Sequence, residues 1–288
     1  MKLNYYYSNI NNFDRFYDQW KFLETKHPFH IVDPSPWPAL SALGIFPLAV
    51  GAVGYFHGYW DLTIVLVSAI YLLIIIFRWN FDVVVEGTFE GKHTKKVVQG
   101  FRYGVMLFIV SEIMFFFSFF WAFFHSSLAP TIWIGGIWPP KGIDYLSPWG
   151  MPLLNTVLLL TSGVTVTAAH ANVFVRKRDV IGDELYFTIA LGLLFTWCQY
   201  LEYSHASFSI NDGIYGSCFY MMTGFHGLHV LFGTIWLSVV YLRHLHYHFT
   251  VRSHFAMEAA IWYWHFVDVV WIFLYLTLYI WSQPADWM

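Results

Sequence analysis

The chain has 288 residues, 58% of them hydrophobic, 22% aromatic and only 11% charged, with a mean hydropathy of +0.51 and a formal net charge of −3. A soluble domain carries about 25% charged residues, so this composition excludes an ordinary water-soluble globule and points to a polytopic membrane protein. The near-neutral balance gives no reason to expect nucleic acid as a partner.

Residues 1–36 are polar and aromatic and end in the proline cluster Asp33 to Pro38, which disfavours helix until it is passed. They contain no apolar h-region, and they hold Asp14, Asp18 and Glu24, acids that transit peptides avoid. The chain is therefore expected to insert where it is made. Apolar spans follow at about 37–57, 62–79, 104–125, 152–175, 185–203, 214–242 and 255–281. The first and fifth are interrupted by glycine, proline or polar residues. The organisation expected is a lead-in over 1–36, a first helix pair over 37–88 and five further helices over 89–288, in one membrane domain. Arg78 to Arg102 reads as the longest inner connection.

Positive charge settles the count. With seven spans and the N-terminus inside, Lys2, Arg15, Lys21, Lys26, Arg78, Lys92, Lys95, Lys96, Arg102, Arg176, Lys177, Arg178, Arg243 and Arg252 fall on one side. Only Lys141 falls on the other, and dropping an internal span scrambles this division. The fold class expected is all-α and integral to the membrane, with seven transmembrane helices, N-terminus inside and C-terminus outside. The outer stretch 126–151 carries Pro130, Pro139, Pro140 and Pro148, so it is rigid, and its Trp133, Trp138 and Trp149 suit a membrane interface.

Within the third span a single charge, Glu112, sits deep in an apolar run. A carboxylate at membrane depth costs on the order of 3 kcal/mol even by gentle insertion scales. Glu112 is therefore protonated, hydrogen-bonded to a facing helix, or open to a water-filled cavity. Two roles remain at this point: a neutral carboxyl that joins helices, or a group that handles protons or a ligand.

Fourteen histidines invite a metal or haem reading. His226 and His229 lie three apart and share a helix face, and His244, His246 and His248 alternate at the inner end of the same helix. Membrane di-iron enzymes use clustered histidine boxes on inner loops; the H-x-x-H-H pattern and a second box are missing, so no metal site is expected. On the seventh span Glu258 and His265 fall within about 20° of each other around the helix, and His265 and Asp268 are three apart. These three form an expected structural polar network. Gly213, Ser217, Gly224 and Gly227 form a groove of small residues suited to helix packing. Cys198 and Cys218 lack metal-type spacing and read as packing residues. The chain shows no Walker-type loop, no strand-linked G-x-G-x-x-G and no G-x-S-x-G turn.

Six segments together resemble subunit III of cytochrome c oxidase, the haem–copper terminal oxidase. They run His30 to Pro38, SEIMFFFSFFWAFFHSSLAPT from Ser111 to Thr131, and GGIWPPKGI from Gly135 to Ile143. INDGIYGS from Ile210, TGFHGLHVLFGT from Thr223 and EAAIWYWHFVDVVWIFLY from Glu258 complete the set. They occur in the family's order over about residues 27–282, and the first 26 residues look like an extension. The resemblance implies a two-helix and a five-helix bundle around a V-shaped, lipid-filled cleft. It also implies a non-catalytic core subunit that binds no cofactor itself, with haem and copper on subunits I and II and phospholipid bound to this chain. Implied partners are subunits I and II and accessory subunits; the implied role is to stabilise subunit I and support proton uptake during oxygen reduction.

By the same resemblance Glu112 matches the family's buried functional carboxylate, and Trp79, Glu86, His93 and Arg243 match lipid-binding positions. Departures are visible too. Phe81 and Val85 stand where the family often has arginine, His170 is followed by Ala171 instead of a second histidine, and Ile132, Trp133 and Ile134 follow the APT tripeptide. The expected location is the mitochondrial inner membrane, with a bacterial plasma membrane as the alternative. Rival readings are a stand-alone histidine-box oxygenase and a seven-helix transporter.

Overall fold

The computed structural model describes residues 27–283; the extension read over the first 26 residues lies outside the described residues. In hydrocarbon each backbone N–H and C=O must find its partner within the segment, so apolar runs of this length become helices. Among the described residues, seven helices are long and apolar enough to cross a membrane. They are α1 (Trp37–Phe56), α2 (Thr63–Thr88), α3 (Lys95–Leu128), α4 (Met151–Val175), α5 (Arg178–His205), α6 (Gly213–Leu245) and α7 (Phe255–Leu274). A π-helical stretch, Tyr275–Trp281, continues α7.

Several helices outrun their apolar spans. α2 continues nine residues past 79, and α3 starts nine residues before 104. At 1.5 Å per residue α3 is about 51 Å long, well beyond the roughly 30 Å of hydrocarbon. Its first turns are polar, and in such a stretch hydropathy does not report helix. The long inner loop expected between Arg78 and Arg102 is thereby corrected: the actual break between α2 and α3 is residues 89–94.

Packing divides the chain into two units, up to Phe101 and from Arg102 onward. In the first, α1 packs on α2 through Gly44 and Gly51, and Gly54, the third buried residue of α1, meets Trp60 of the intervening turn. A Cβ at Gly44 would lie 2.7 Å from the Leu72 and Tyr71 side chains, and one at Gly54 would collide with the Trp60 ring. Glycine here permits the close backbone approach that packs helices in lipid. The lead-in is clasped to the same unit. Trp37 Nε1–H donates to Asp82 Oδ2 (2.6 Å), Thr94 Oγ1 donates to the Pro28 carbonyl, and Lys92 pairs with Glu90 (2.8 Å) and Asp33 (3.2 Å). The Glu90 carboxylate, followed by Asp33, holds the Lys92 ammonium above the usual lysine range against partial burial.

In the second unit α4 packs on α5, α5 on α6, α6 on α7, and α7 back on α4. Thirteen of the twenty residues of α7 are buried, making it the spine of this ring. α3 adds to it by side chains: Phe115 meets Phe225 edge-on at 5.0 Å, and Phe116 lies 6.1 Å from Phe266. Cys198 and Cys218 are free and buried. The small-residue groove expected from Gly213, Ser217, Gly224 and Gly227 carries no close helix approach among the described residues: space beside Gly213 and Gly227 is open, and a Cβ at Gly224 would come no nearer than 4.0 Å to Tyr203 Oη. The tight positions of α6 are other glycines, Gly216, where a methyl group would run into the Ser209 carbonyl, and Gly233, where one would lie 2.9 Å from Trp264. In the connection between α3 and α4 Trp133 (90% exposed) and Trp149 (62%) are exposed. Trp138 instead packs against Phe123 and Tyr215, each at 5.5 Å.

Candidate functional site

Glu112 lies in the middle of α3, and its partner comes from α6, 117 residues away. His229 Nε2 is 2.8 Å from Glu112 Oε2, and His229 Nδ1 is 2.6 Å from the Phe225 carbonyl. The carbonyl only accepts, so Nδ1 carries a proton. Nε2 then either accepts from a protonated Glu112 or donates to its carboxylate. In both arrangements one proton lies between the two side chains and the pair is neutral overall. That resolves the cost of a charge at membrane depth without a counter-ion from elsewhere. Rings enclose the pair: Phe116 meets His229 edge-on at 5.0 Å, and Tyr263 stacks at 6.4 Å. The side chains keep 22% (Glu112) and 14% (His229) of their surface accessible.

The three acidic and imidazole groups of α7 fall into two separate sets. Glu258, in the first turn, is held by Arg102 of α3 through bonds of 2.8, 3.1 and 3.2 Å, and His254 Nε2 lies 3.3 Å from its Oε1. An acid at this helix end also suits the helix dipole. His265 instead lies 3.6 Å from Asp268 and 3.1 Å from Thr167 Oγ1 of α4. Asp268 fits because α4 has glycine opposite: a Cβ at Gly163 would sit 2.7 Å from its Oδ2. The network expected on one face of α7 is thus split between two different neighbours, Arg102 and Thr167.

Arg102 is 47% exposed and the Glu258 side chain 12%. We expect Arg102→Met to destabilise the folded chain by about 1–3 kcal/mol, below the cost of breaking a fully buried pair because solvent screens the guanidinium. Arg102→Lys should recover only part, since it loses the bidentate fork. A thermal-unfolding series on the purified protein reads this; an unchanged midpoint in Arg102→Met would mean the pair contributes nothing.

A further buried carboxyl, Glu202 of α5, escaped sequence reading. Its Oε1 accepts from Tyr279 O–H (2.6 Å) and Gln199 Nε2 (3.3 Å), and Asn155 Nδ2 donates to Gln199 Oε1 (3.4 Å). It stands near the end of the weakest span, where an acid reads as an ordinary interfacial residue. The four polar residues spread over three helix segments are its only signal, and spacing along the chain does not reveal them.

Of the residues matched to lipid-binding positions, Trp79, Glu86 and His93 belong to the first unit, around the end of α2, and Arg243 to the last turns of α6. Trp79 is partly exposed, and the Arg243 guanidinium lies 4.8 Å over the Phe249 ring. Beside it, burial and then the Arg243 charge hold the His248 imidazole below the usual histidine range, so it is neutral at neutral pH. This end of α6 is braced by Arg178, whose guanidinium donates to the His244 and Leu245 carbonyls and covers the Tyr247 ring. His226 is fully buried, bonded to the Val267 carbonyl at 3.2 Å and set against Phe195 and Trp271.

The family model for cytochrome c oxidase subunit III matches residues 27–283. The chain belongs to the cytochrome c oxidase subunit III family. Cytochrome c oxidase subunit 3 from Chondrus crispus is 56% identical over 258 residues, covering 89% of this chain and 95% of that protein. The proteins of the same name from Anopheles gambiae and Dugong dugon are each 53% identical over 257 residues, covering 89% of this chain and 98% of theirs. With subunit III membership and seven apolar helices, the chain is a multi-pass membrane subunit of the oxidoreductase complex cytochrome c oxidase, in the respiratory chain. The oxygenase and transporter readings are not favoured.

Proposed function

We propose that this chain acts as a companion to the redox subunits of the oxidase: it stabilises subunit I, binds phospholipid and supports proton supply at the Lys/Arg-rich face. Haem and copper belong, in this reading, to subunits I and II, and Trp79, Glu86, His93 and Arg243 hold lipid. The mitochondrial inner membrane is the proposed location, supported by the eukaryotic sources of the relatives named above. The distribution of Lys and Arg supports an N-terminus on the inner side.

The observation that carries the functional part is the 2.8 Å contact of Glu112 with His229 between two helices, which we read as sharing one proton. Glu112→Gln separates holding from moving that proton. The amide N–H donates to His229 Nε2 much as a protonated carboxyl does, so the helix contact survives, but an amide exchanges no proton at neutral pH. We expect wild-type assembly of the oxidase in this variant, together with a faster loss of activity over successive turnovers. Wild-type endurance and proton uptake would leave Glu112 only a structural role. Measuring haem, copper and iron on the full chain freed of its partners tests the division of labour: values near zero fit the companion role, whereas stoichiometric metal bound as isolated would overturn it.

A further inference from the structure

A cavity lies at the end of the second unit where α4 and α6 finish and α5 and α7 begin. Its volume is about 450 Å³, and three guanidinium groups line it, those of Arg176, Arg178 and Arg252, with no acidic side chain among the lining residues. Ile181, Phe249 and Met257 supply an apolar floor. We propose that this cavity binds a phosphate ester, the guanidinium groups taking the phosphate and the floor its organic body. None of Trp79, Glu86, His93 and Arg243 lines it, so the site is separate from the lipid positions.

Membrane topology accounts for cations at this end of the helices, but not for three of them around one cavity. Their donors are also open. Arg176 and Arg252 are exposed, and neither makes a hydrogen bond or ion pair among the described residues. Arg178 is held in place. Its Nη2 donates to the His244 and Leu245 carbonyls, its guanidinium lies 3.4 Å over the Tyr247 ring, and His244 Nε2–H donates back to the Arg178 carbonyl (3.0 Å). Both guanidinium bonds use one nitrogen, so Nε and Nη1 keep N–H groups without a protein acceptor among the described residues. A planar guanidinium presents such a fork to phosphate, and basic pockets between helix ends take phosphate groups in this way.

Backbone geometry marks the same corner. Among the described residues only two that are not glycine have positive φ, Arg176 (61°) and Tyr247 (62°). Arg176 is the left-handed cap of α4: its N–H donates to the Val173 carbonyl and the Lys177 N–H to the Asn172 carbonyl, each at 3.2 Å. Glycine takes such a cap without the steric cost of a Cβ. The chain instead keeps a long cation at one strained position and, at the other, the ring that supports Arg178. Strain of this kind collects at binding sites.

The test uses the full-length chain in nonionic detergent, titrated with naphthyl phosphate and followed by its fluorescence. We expect one site per chain, no comparable binding of naphthol, and affinity lowered about tenfold or more by Arg252→Gln and by Arg176→Gly. Arg176→Gly guards against misfolding, because glycine relieves the left-handed cap: its unfolding midpoint should hold or rise while binding falls. Arg252→Gln, at an exposed connection residue, gives an independent reading. Lys177, beside Arg176 but not lining the cavity, is the charge control, and Lys177→Gln should change affinity by no more than about twofold. Competition separates the two sources of a phosphate ester. Stronger displacement by glycerol phosphate assigns a water-soluble ester, and stronger displacement by dihexanoyl phosphatidic acid assigns a lipid headgroup. Binding that naphthol matches, that falls equally in Lys177→Gln, that is unchanged in folded Arg176→Gly or Arg252→Gln, or that is lost in the assembled oxidase would overturn the proposal.

Discussion

Replacing Trp264 with alanine is expected to destabilise the chain more than any other single truncation, by about 3–5 kcal/mol, the range for emptying a fully packed tryptophan site. Trp264 on α7 has no exposed surface. Its ring lies where a Cβ at Gly192 of α5 would be 2.7 Å away and one at Gly233 of α6 2.9 Å away, so both helices have given up their side chains to admit it. Its Nε1–H donates to Ser162 Oγ of α4 (2.9 Å), and that hydroxyl in turn donates to the Leu159 carbonyl (2.6 Å). One indole therefore touches three helices at once. Lipid cannot fill the resulting hole from within the ring, and close packing is the main force between helices in hydrocarbon. Trp264→Phe should cost less, about 1–2 kcal/mol, because it keeps much of the contact and gives up the Ser162 bond. The neighbouring Trp262 is only half-buried and serves as the control. Thermal unfolding of the purified chain and the level of assembled oxidase should both rank the variants Trp264→Ala below Trp264→Phe and Trp262→Ala. Equal losses for Trp262→Ala would remove the case for a single anchor.

How far such sites can be read without coordinates depends on whether their signal is local. The seven helices are, because hydrocarbon imposes length and apolarity on each one separately. Their ends are not: Arg78, Asp82 and Glu86 are helical although charged, since α2 continues where water already satisfies polar side chains. Glu112 stands out as the lone charge of its run, but His229 does not. GFHGLH puts His226 and His229 one turn apart with nothing to say which faces α3, and the answer lies in packing: His226 turns inward to Val267 and Trp271, His229 to Glu112. Helical spacing placed Glu258 near His265 on one face, yet Arg102 and Thr167, on two other helices, draw them to different partners. Glu202 fails for the same reason: its partners Gln199, Asn155 and Tyr279 come from segments whose meeting is decided by tertiary structure.

The shared proton of Glu112 and His229 makes a thermodynamic prediction separate from any effect on turnover. His229→Leu leaves a carboxyl at membrane depth that must take up a proton alone and go without its partner. With 22% of the Glu112 side chain still accessible, this should cost about 2–3 kcal/mol, less than the roughly 3–5 of a fully buried broken pair. Glu112→Leu leaves His229 Nε2 without its partner, at about 1–3 kcal/mol. If one proton joins the two groups, removing both relieves what each single change leaves stranded. The double variant should then fall short of the sum by at least about 1 kcal/mol. Denaturant or thermal unfolding of the four proteins measures that coupling, and strict additivity would mean that the two side chains are neighbours without a bond. Infrared difference spectra between wild type and Glu112→Gln then say where the proton rests. A carboxylic-acid C=O stretch assigns it to Glu112, and carboxylate bands assign it to the imidazole. The first outcome makes the pair a neutral link that opens only when a proton is passed on; the second makes it an ion pair that needs its ring-lined surroundings to stay dry.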